Sequence, residues 1–123
     1  MIHERKSASA NIDLELEVGG ELGYWDLKTL SGGAHALRKR LKEGYSKWER
    51  LSAEGAVVPD GIDIGRLGNP KIVVDNRYSK ISDEEATAQI RESMDYLSSN
   101  GTFAFDKALI IKKDGSAEAI SRQ

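Results

Sequence analysis

The sequence predicts a single α/β domain with a mixed central β-sheet and flanking helices, in the order ββαβαββ. Three observations support this fold class: apolar residues alternate early in the chain, two long segments have helical periodicity, and short apolar segments stand between and after them. Its 123 residues are about the length of one domain. Strands and helices in this order predict one domain with a mixed sheet. The domain is expected to span residues 11–123, after a flexible polar segment at 1–10.

The first two strands are predicted to form a hairpin. Between Ile12 and Val18 apolar residues occupy every second position and acidic residues the positions between, as in a half-buried strand. Gly19-Gly20 then offers a two-residue turn. The second strand continues through Leu30, and Ser31-Gly32-Gly33 ends it.

The remaining elements follow from helical spacing and from turn residues. Between Ala34 and Ala53 apolar side chains recur every three or four residues, which predicts a helix. Ser82, with Glu85 three residues later, has the spacing of a capping box and predicts the start of a second helix. That helix should end at Asn100-Gly101. Short strands are predicted at 71–75, 108–111 and from the turn at 113–115 through 120, with a loop at 56–70 rich in Gly and Pro.

Composition excludes several classes of protein. The chain has no cysteine, so disulfides and thiolate metal sites are excluded. No apolar segment approaches the roughly 20 residues that a membrane span requires, and the first residues lack the apolar stretch of a signal peptide. The formal net charge is -2, whereas nucleic-acid-binding domains are usually basic. Nucleic-acid binding would therefore depend on local clusters of positive charge.

The hairpin register predicts one apolar face and one charged face. If Gly19-Gly20 forms the turn, Val18 pairs with Glu21 and Leu14 with Trp25. The apolar face that contains Leu14 and Trp25 is expected to cover a helix. On the other face Asp13 lies opposite Asp26.

Two directly opposed carboxylates repel each other, and a divalent cation between them would remove that repulsion. Lys28 lies two residues beyond Asp26 on the same face, where an ammonium can orient a water molecule or stabilise charge on a phosphoryl group. The register thus predicts Asp13 and Asp26 as ligands of a divalent ion, Mg²⁺ or similar, with Glu15 as a further candidate. Lys28 is the candidate catalytic lysine. The alternative interpretation is a solvated hairpin face on which Lys28 is only a counter-ion of Asp26.

Other basic residues are candidates for contact with phosphate. Arg38, Lys39 and Lys42 lie on the predicted polar face of the first helix and could follow a nucleic-acid backbone. A solvated helix face is the alternative. Arg77 follows a strand and is a further candidate, with a surface turn as the alternative. Thr29 is expected to support the site by hydrogen bonding.

The segment from Asp13 through Gly19-Gly20 to Trp25-Asp26-Leu27-Lys28-Thr29 resembles the second and third motifs of the PD-(D/E)xK nucleases, whose fold is restriction-endonuclease-like. Further segments extend the resemblance to C-terminal toxin domains of contact-dependent growth inhibition proteins (CdiA-type), over roughly residues 11–120. They are the Lys/Arg-rich helix and the segments at 72–77, 82–86, 89–90 and 109–115.

The resemblance implies a metal-dependent endonuclease toxin that cleaves RNA, with tRNA favoured, in competition between bacteria. It also implies a cognate immunity protein as partner, delivery as part of a larger secreted protein, and action in the cytoplasm of the target cell. Many such nucleases carry another acidic residue on a helix before the first strand, whereas Glu4 is the only acid before Asn11 here. A DNase of the same fold and a non-catalytic acidic interaction or immunity-type module remain as alternatives.

Overall fold

A computed structural model describes residues 14–18, 20–53, 55 and 62–122 of the chain. Within these residues five strands and two long helices form one small α/β domain. Their bounds are β1 Leu14–Val18, β2 Glu21–Thr29, α1 Ala34–Ser52, β3 Lys71–Asp75, α2 Asp83–Asn100, β4 Lys107–Ile111 and β5 Ala117–Ser121. A short 3-10 turn, Ile64–Arg66, lies within the segment expected to be a loop. The single α/β domain is confirmed, and the predicted segment 1–10 lies outside the described residues.

The five strands form a mixed sheet in which spatial order follows chain order, from β1 to β5. The β1–β2 and β4–β5 pairs are antiparallel, whereas β2, β3 and β4 are parallel. The parallel pairs are joined by α1 and α2, because parallel neighbours need a long crossover connection. The prediction of a mixed sheet is therefore confirmed, and the hairpin pairs Leu14 with Trp25 and Val18 with Glu21 as the turn predicted.

Both helices pack on the same face of the sheet, around the main core. Their apolar side chains surround Ile72 and Val74 of β3 together with Ala108 and Ile110 of β4. A second buried cluster joins Tyr24 of β2 to the C-terminal half of α1 through Trp48. Side chains that alternate along each strand therefore divide between a helix-covered face and an opposite face.

The expectation that the Trp25 face covers a helix is wrong. Trp25 and Val73 pack on the opposite face of the sheet, with apolar side chains of neighbouring strands that are only partly buried. The helices instead cover the face of β2 that carries Tyr24 and Leu30. Because these two apolar side chains lie on either side of Asp26 and Lys28, that face has enough apolar surface to hold α1. The charged residues between them are buried as a result.

The two helices are fixed by a cap and by a buried tyrosine. The hydroxyl of Ser82 accepts a hydrogen bond from the backbone N–H of Glu85, at 3.1 Å, as the capping sequence predicted. The Tyr45 hydroxyl donates to the carbonyl of Phe103 and accepts from its N–H, at 2.6 and 2.7 Å. Burial raises the pKa of Tyr45. These two hydrogen bonds join α1 to the segment after α2. Tyr45 directly follows Gly44, the position at which α1 lies close to β2.

Candidate active site

The candidate site is built on β2, where Asp26 and Lys28 project towards the helices. Asp26 is completely buried and Lys28 is 8% exposed. A carboxylate is rarely buried in this way unless its charge is compensated, because desolvation of an ion is strongly unfavourable. The structure therefore has to supply positive charge beside Asp26.

Two lysines supply that charge, one from the same strand and one from α1. Lys47 donates a hydrogen bond from Nζ to Oδ1 of Asp26, at 2.8 Å. Lys28 Nζ lies 3.2 Å from Oδ2, within ion-pairing distance. Oδ2 nevertheless accepts no hydrogen bond from the described residues, because Lys28 satisfies the distance of an ion pair and not the geometry of a hydrogen bond. Asp26 is thus held firmly through one oxygen and loosely through the other.

A glycine lets α1 approach this carboxylate. A β-carbon at Gly44 would lie 3.0 Å from Oδ2 of Asp26 and 2.9 Å from Cδ1 of Ile72, closer than ordinary packing allows. Glycine in a helix interior is destabilising by roughly 0.5–1 kcal/mol relative to alanine, so its use here needs a local reason. The close approach is that reason, and it places Lys47, three residues later, beside Asp26.

The cluster has more positive than negative charge. Lys28 and Lys47 provide two ammonium groups, with side chains 10% and 16% exposed, whereas Asp26 provides one carboxylate. In a site that excludes most water, this excess favours a further anion, such as another carboxylate or a phosphate group of a ligand. Chemically, the arrangement combines a potential metal ligand with two groups that can contact a phosphodiester.

The other predicted metal ligands cannot be placed beside Asp26. Asp13 lies outside the described residues, and so does the side chain of Glu15. No group of three or more His, Cys, Asp and Glu side chains suited to a metal ion occurs within the described part of the chain. The described residues fit a divalent ion only through Asp26, whose Oδ2 has unused hydrogen-bonding capacity.

The predicted substrate-binding residues lie in three other places. Thr29 is exposed and, one residue after Lys28, points to the opposite face of the sheet. Arg77 contacts Asp75 through a pair of hydrogen bonds from its guanidinium, at 3.0 and 2.8 Å. This contact lowers the pKa of Asp75. The guanidinium of Arg77 also lies over the ring of Tyr78, 5.1 Å from its centroid.

The basic residues of α1 line a groove between the two helices, with a volume of about 710 Å³. Its walls are formed by His35, Arg38, Lys39, Lys42, Glu92, Ser93, Asp95, Tyr96 and Leu97. Lys42 and Lys47 are five residues apart, which separates them by about 140° around the helix axis. Lys42 therefore lines the groove on the side of α2, whereas Lys47 turns towards Asp26. The groove has cations on one wall and carboxylates on the other.

Sequence reasoning missed the roles of Gly44 and Lys47. Nothing in the sequence pattern of α1 indicated that Lys47 reaches the sheet. One signal could have found both residues: an isolated glycine within a strong helical pattern indicates a close approach, and a residue three positions later lies on the same side of the helix.

Comparison of the chain with models of protein families, with curated proteins and with solved structures gave no match. Among the described residues no helix is long and apolar enough to span a membrane.

Proposed function

We propose that this chain is a metal-dependent endonuclease domain that cleaves RNA, with tRNA favoured, and that its fold is restriction-endonuclease-like. The observation that carries the proposal is the buried cluster of Asp26, Lys28 and Lys47. Asp26 and Lys28 are two residues apart on the same side of β2, and Lys47 reaches them from α1. Apolar side chains could fill this space without the desolvation of charged groups, which is often unfavourable to stability.

Each member of the cluster has a role in phosphodiester hydrolysis. In this reaction the oxygen of a water molecule forms a bond to phosphorus, and the bond from phosphorus to the leaving oxygen breaks. Lys28 would orient the attacking water and stabilise negative charge that develops on the phosphate oxygens. Asp26 holds both ammonium groups in place, so that neither has to be positioned when the substrate binds.

A divalent ion, most simply Mg²⁺, would be held by Asp26 with Asp13 and Glu15 as the further proposed ligands. The support for this ligand set is the confirmed hairpin register from Leu14 to Val18 together with the unused lone pairs of Asp26 Oδ2. When bound, such an ion supplies Lewis acidity at the phosphate and lowers the pKa of a bound water.

Contacts with the RNA backbone are proposed for the basic side chains outside the cluster. Arg38, Lys39 and Lys42 form one wall of the groove between the helices. Arg77 is a weaker candidate because Asp75 already compensates its charge. Thr29, on the other face of the sheet, can contribute only to substrate that passes around the end of β2. We retain these residues as contacts for phosphate and sugar, which position a nucleic acid without reading its sequence.

The biological setting is proposed from the resemblance to toxin domains. The domain would be delivered as part of a larger secreted protein and would act in the cytoplasm of the target cell. A cognate immunity protein would bind it in the producing cell. Production of the active domain alone should then be toxic, and production of the Lys28→Met variant should be tolerated.

A non-catalytic interaction module is the second candidate. The observation that favours it is the acidic outer surface of α2, where Glu84, Glu85, Glu92 and Asp95 are exposed. An acidic surface of this kind can imitate nucleic acid or bind a basic partner. In this function the Asp26 cluster would have only a structural role.

The test is incubation of the purified protein with total RNA and with plasmid DNA, in Mg²⁺ and in EDTA. Wild type is compared with Lys28→Met and with Lys80→Met, which removes an exposed lysine that is not part of the buried cluster. We expect RNA cleavage that requires Mg²⁺, is lost in Lys28→Met and is retained in Lys80→Met. Cleavage of plasmid alone would replace the RNase with a DNase. No cleavage of either substrate would favour the interaction module.

A further inference from the structure

The groove between α1 and α2 has features that contacts with phosphate alone do not explain. Its volume of about 710 Å³ lies within the range of pockets that hold small organic molecules, roughly 300–1,000 Å³. Leu97 and Ser93, which are 7% and 6% exposed, form the floor of the groove, and the exposed side chain of Tyr96 lies beside them. A row of basic side chains can bind a phosphate backbone without a cavity or an aromatic ring.

Ser93 on the floor of the groove indicates a polar ligand. More than nine-tenths of this residue is buried, and its hydroxyl makes no hydrogen bond with any residue that the structure describes. Hydroxyl groups in such positions normally have a hydrogen-bond partner. The hydroxyl of Ser93 can therefore donate to, or accept from, a polar group that enters the groove.

Tyr96 offers an aromatic surface for stacking. It is 63% exposed, and no other ring or cation from the described part of the chain lies against its ring. Tyr78 is equally exposed, but the guanidinium of Arg77 already lies over its ring. A nucleobase stacks on an exposed ring of this kind whatever its identity, because every base has an aromatic face.

The charges of the two walls would orient a nucleotide in the groove. Lys39 and Lys42 are exposed on the α1 wall, whereas Glu92 and Asp95 carry exposed carboxylates on the α2 wall. A phosphate is attracted to the first wall and repelled by the second. The uncharged base would then lie towards α2, the helix that carries Tyr96.

We propose that the groove binds one unpaired nucleotide of RNA, with its phosphate against Lys39 and Lys42 and its base stacked on Tyr96. The hydroxyl of Ser93 would form a hydrogen bond with the same nucleotide. The inference rests on the proposed function, because it takes RNA as the substrate, and it adds selection of single-stranded over paired RNA. In a duplex each base is stacked between its neighbours and its face is not free to stack on Tyr96.

The test is binding of fluorescein-labelled oligouridylate, alone and as a duplex with oligoadenylate, measured by fluorescence anisotropy at fixed salt in EDTA. The wild type should bind the single strand more tightly than the duplex. Tyr96→Ser should weaken binding of the single strand about tenfold, within the range for loss of one stacked base, and leave duplex binding unchanged. Tyr96→Phe keeps the ring and should bind as the wild type does.

Tyr78→Ser is the matched control, because it removes an equally exposed ring that does not line the groove. It should leave both affinities unchanged. Ser93→Ala should weaken binding of the single strand without lowering the free energy of unfolding, since the hydroxyl has no partner among the described residues and alanine is the better helix former. Urea unfolding measures that free energy and establishes that each variant is folded.

Three outcomes would overturn the inference. They are an unchanged affinity for the single strand in Tyr96→Ser, an equal loss of affinity for single strand and duplex in that variant, and an equal loss in Tyr78→Ser. The first of these would leave the groove to a partner other than RNA.

Failure of the nucleotide site is separable from failure of the proposed function. Cleavage of total RNA in Mg²⁺ reports on the nuclease alone. Cleavage by the wild type, together with unchanged RNA affinity in Tyr96→Ser, would retain the nuclease and remove the nucleotide site. The expected pattern of affinities without any cleavage would retain the nucleotide site and remove the nuclease.

Discussion

Gly44 of α1 passes so close to Asp26 that a β-carbon at position 44 would lie 3.0 Å from Oδ2 of the carboxylate. At this position α1 therefore has glycine in place of a residue with higher helix propensity, and the glycine allows close contact with β2. This contact determines how deeply Asp26 is buried and where the side chain of Lys47 begins.

Gly44→Ala should lower the melting temperature, although alanine is the better helix former. Alanine would contribute roughly 0.5–1 kcal/mol through helix propensity. That gain is outweighed by the β-carbon contacts with Asp26 and with Cδ1 of the fully buried Ile72, at 3.0 and 2.9 Å. Overpacking of this kind is typically destabilising by about 1–3 kcal/mol. Thermal and urea unfolding of the two proteins measures the balance.

Ile72→Val separates the two contacts, because valine lacks Cδ1. In the Ile72→Val background, Gly44→Ala should be less destabilising than in the wild type, and the remainder reports the approach to Asp26. Additive effects of the two substitutions would show that the contact with Ile72 does not matter.

The fold could be predicted in large part because its signals are local. The β3 strand was expected at residues 71–75 and is found there, and the capping serine marks the residue before α2. The hairpin register followed from the length of its turn. These features depend on alternation, on helical period and on turn residues, all of which act between near neighbours in sequence.

The burial of the site could not be predicted in the same way. Alternation along β2 correctly placed Asp26 and Lys28 on one face of the strand and Trp25 on the other. The helix was expected to cover the Trp25 face because that face is the more apolar of the two. Which face α1 covers depends on Tyr24 and Leu30 beside the charges and on the approach at Gly44. These are long-range contacts, and the pattern of one strand does not contain them.

Asp26→Asn should destabilise the protein as well as remove metal binding. The substitution leaves the ammonium groups of Lys28 and Lys47 largely buried beside a neutral amide. Breaking a buried ion pair typically costs 3–5 kcal/mol, and the retained shape and carbonyl oxygen of Asn should reduce this to about 2–3 kcal/mol. Urea unfolding at pH 7 gives the difference, and a value near zero would show that the two buried ammonium groups do not depend on the charge of Asp26.

Replacement of Lys47 together with Asp26 provides the control. The Asp26→Asn/Lys47→Met variant removes one of the two uncompensated ammonium groups, so it should be more stable than Asp26→Asn alone. Further loss of stability in the double variant would mean that Lys47 contributes through packing and not through its charge.

Asp75 should make stability depend on acid pH. The guanidinium of Arg77 and the Arg77 backbone N–H lower the pKa of Asp75 in the folded protein. Because the folded pKa lies below the unfolded value of about 3.9, the contribution is complete above that value. It is lost as pH falls through the folded pKa.

The difference in unfolding free energy between wild type and Asp75→Asn should therefore be constant near neutral pH and shrink below about pH 4. Urea unfolding from pH 7 to pH 2 measures it. Arg77→Gln should remove most of the pH dependence, since the side-chain hydrogen bond from Arg77 is the largest cause of the lowered pKa. A difference that does not change with pH would contradict this assignment.

The groove between the helices should contribute to RNA affinity through its basic wall. Replacing Arg38, Lys39 and Lys42 by glutamine removes three exposed positive charges from this wall. If each contacts a phosphate, the slope of log affinity against log salt should fall by about 2 units. Binding to RNA is measured by fluorescence anisotropy at several salt concentrations, in the Lys28→Met background so that the RNA remains intact.

A variant with the same net charge shows whether position matters. Glutamine at Arg50, Lys80 and Arg91 also removes three exposed positive charges, outside the groove. General attraction between protein and RNA would weaken equally in both variants. Specific contacts in the groove predict a smaller salt slope only for the first variant. Equal slopes in the two variants would place the RNA elsewhere on the domain. In that case the carboxylates of Glu92 and Asp95 on the opposite wall would offset the positive charge of the groove.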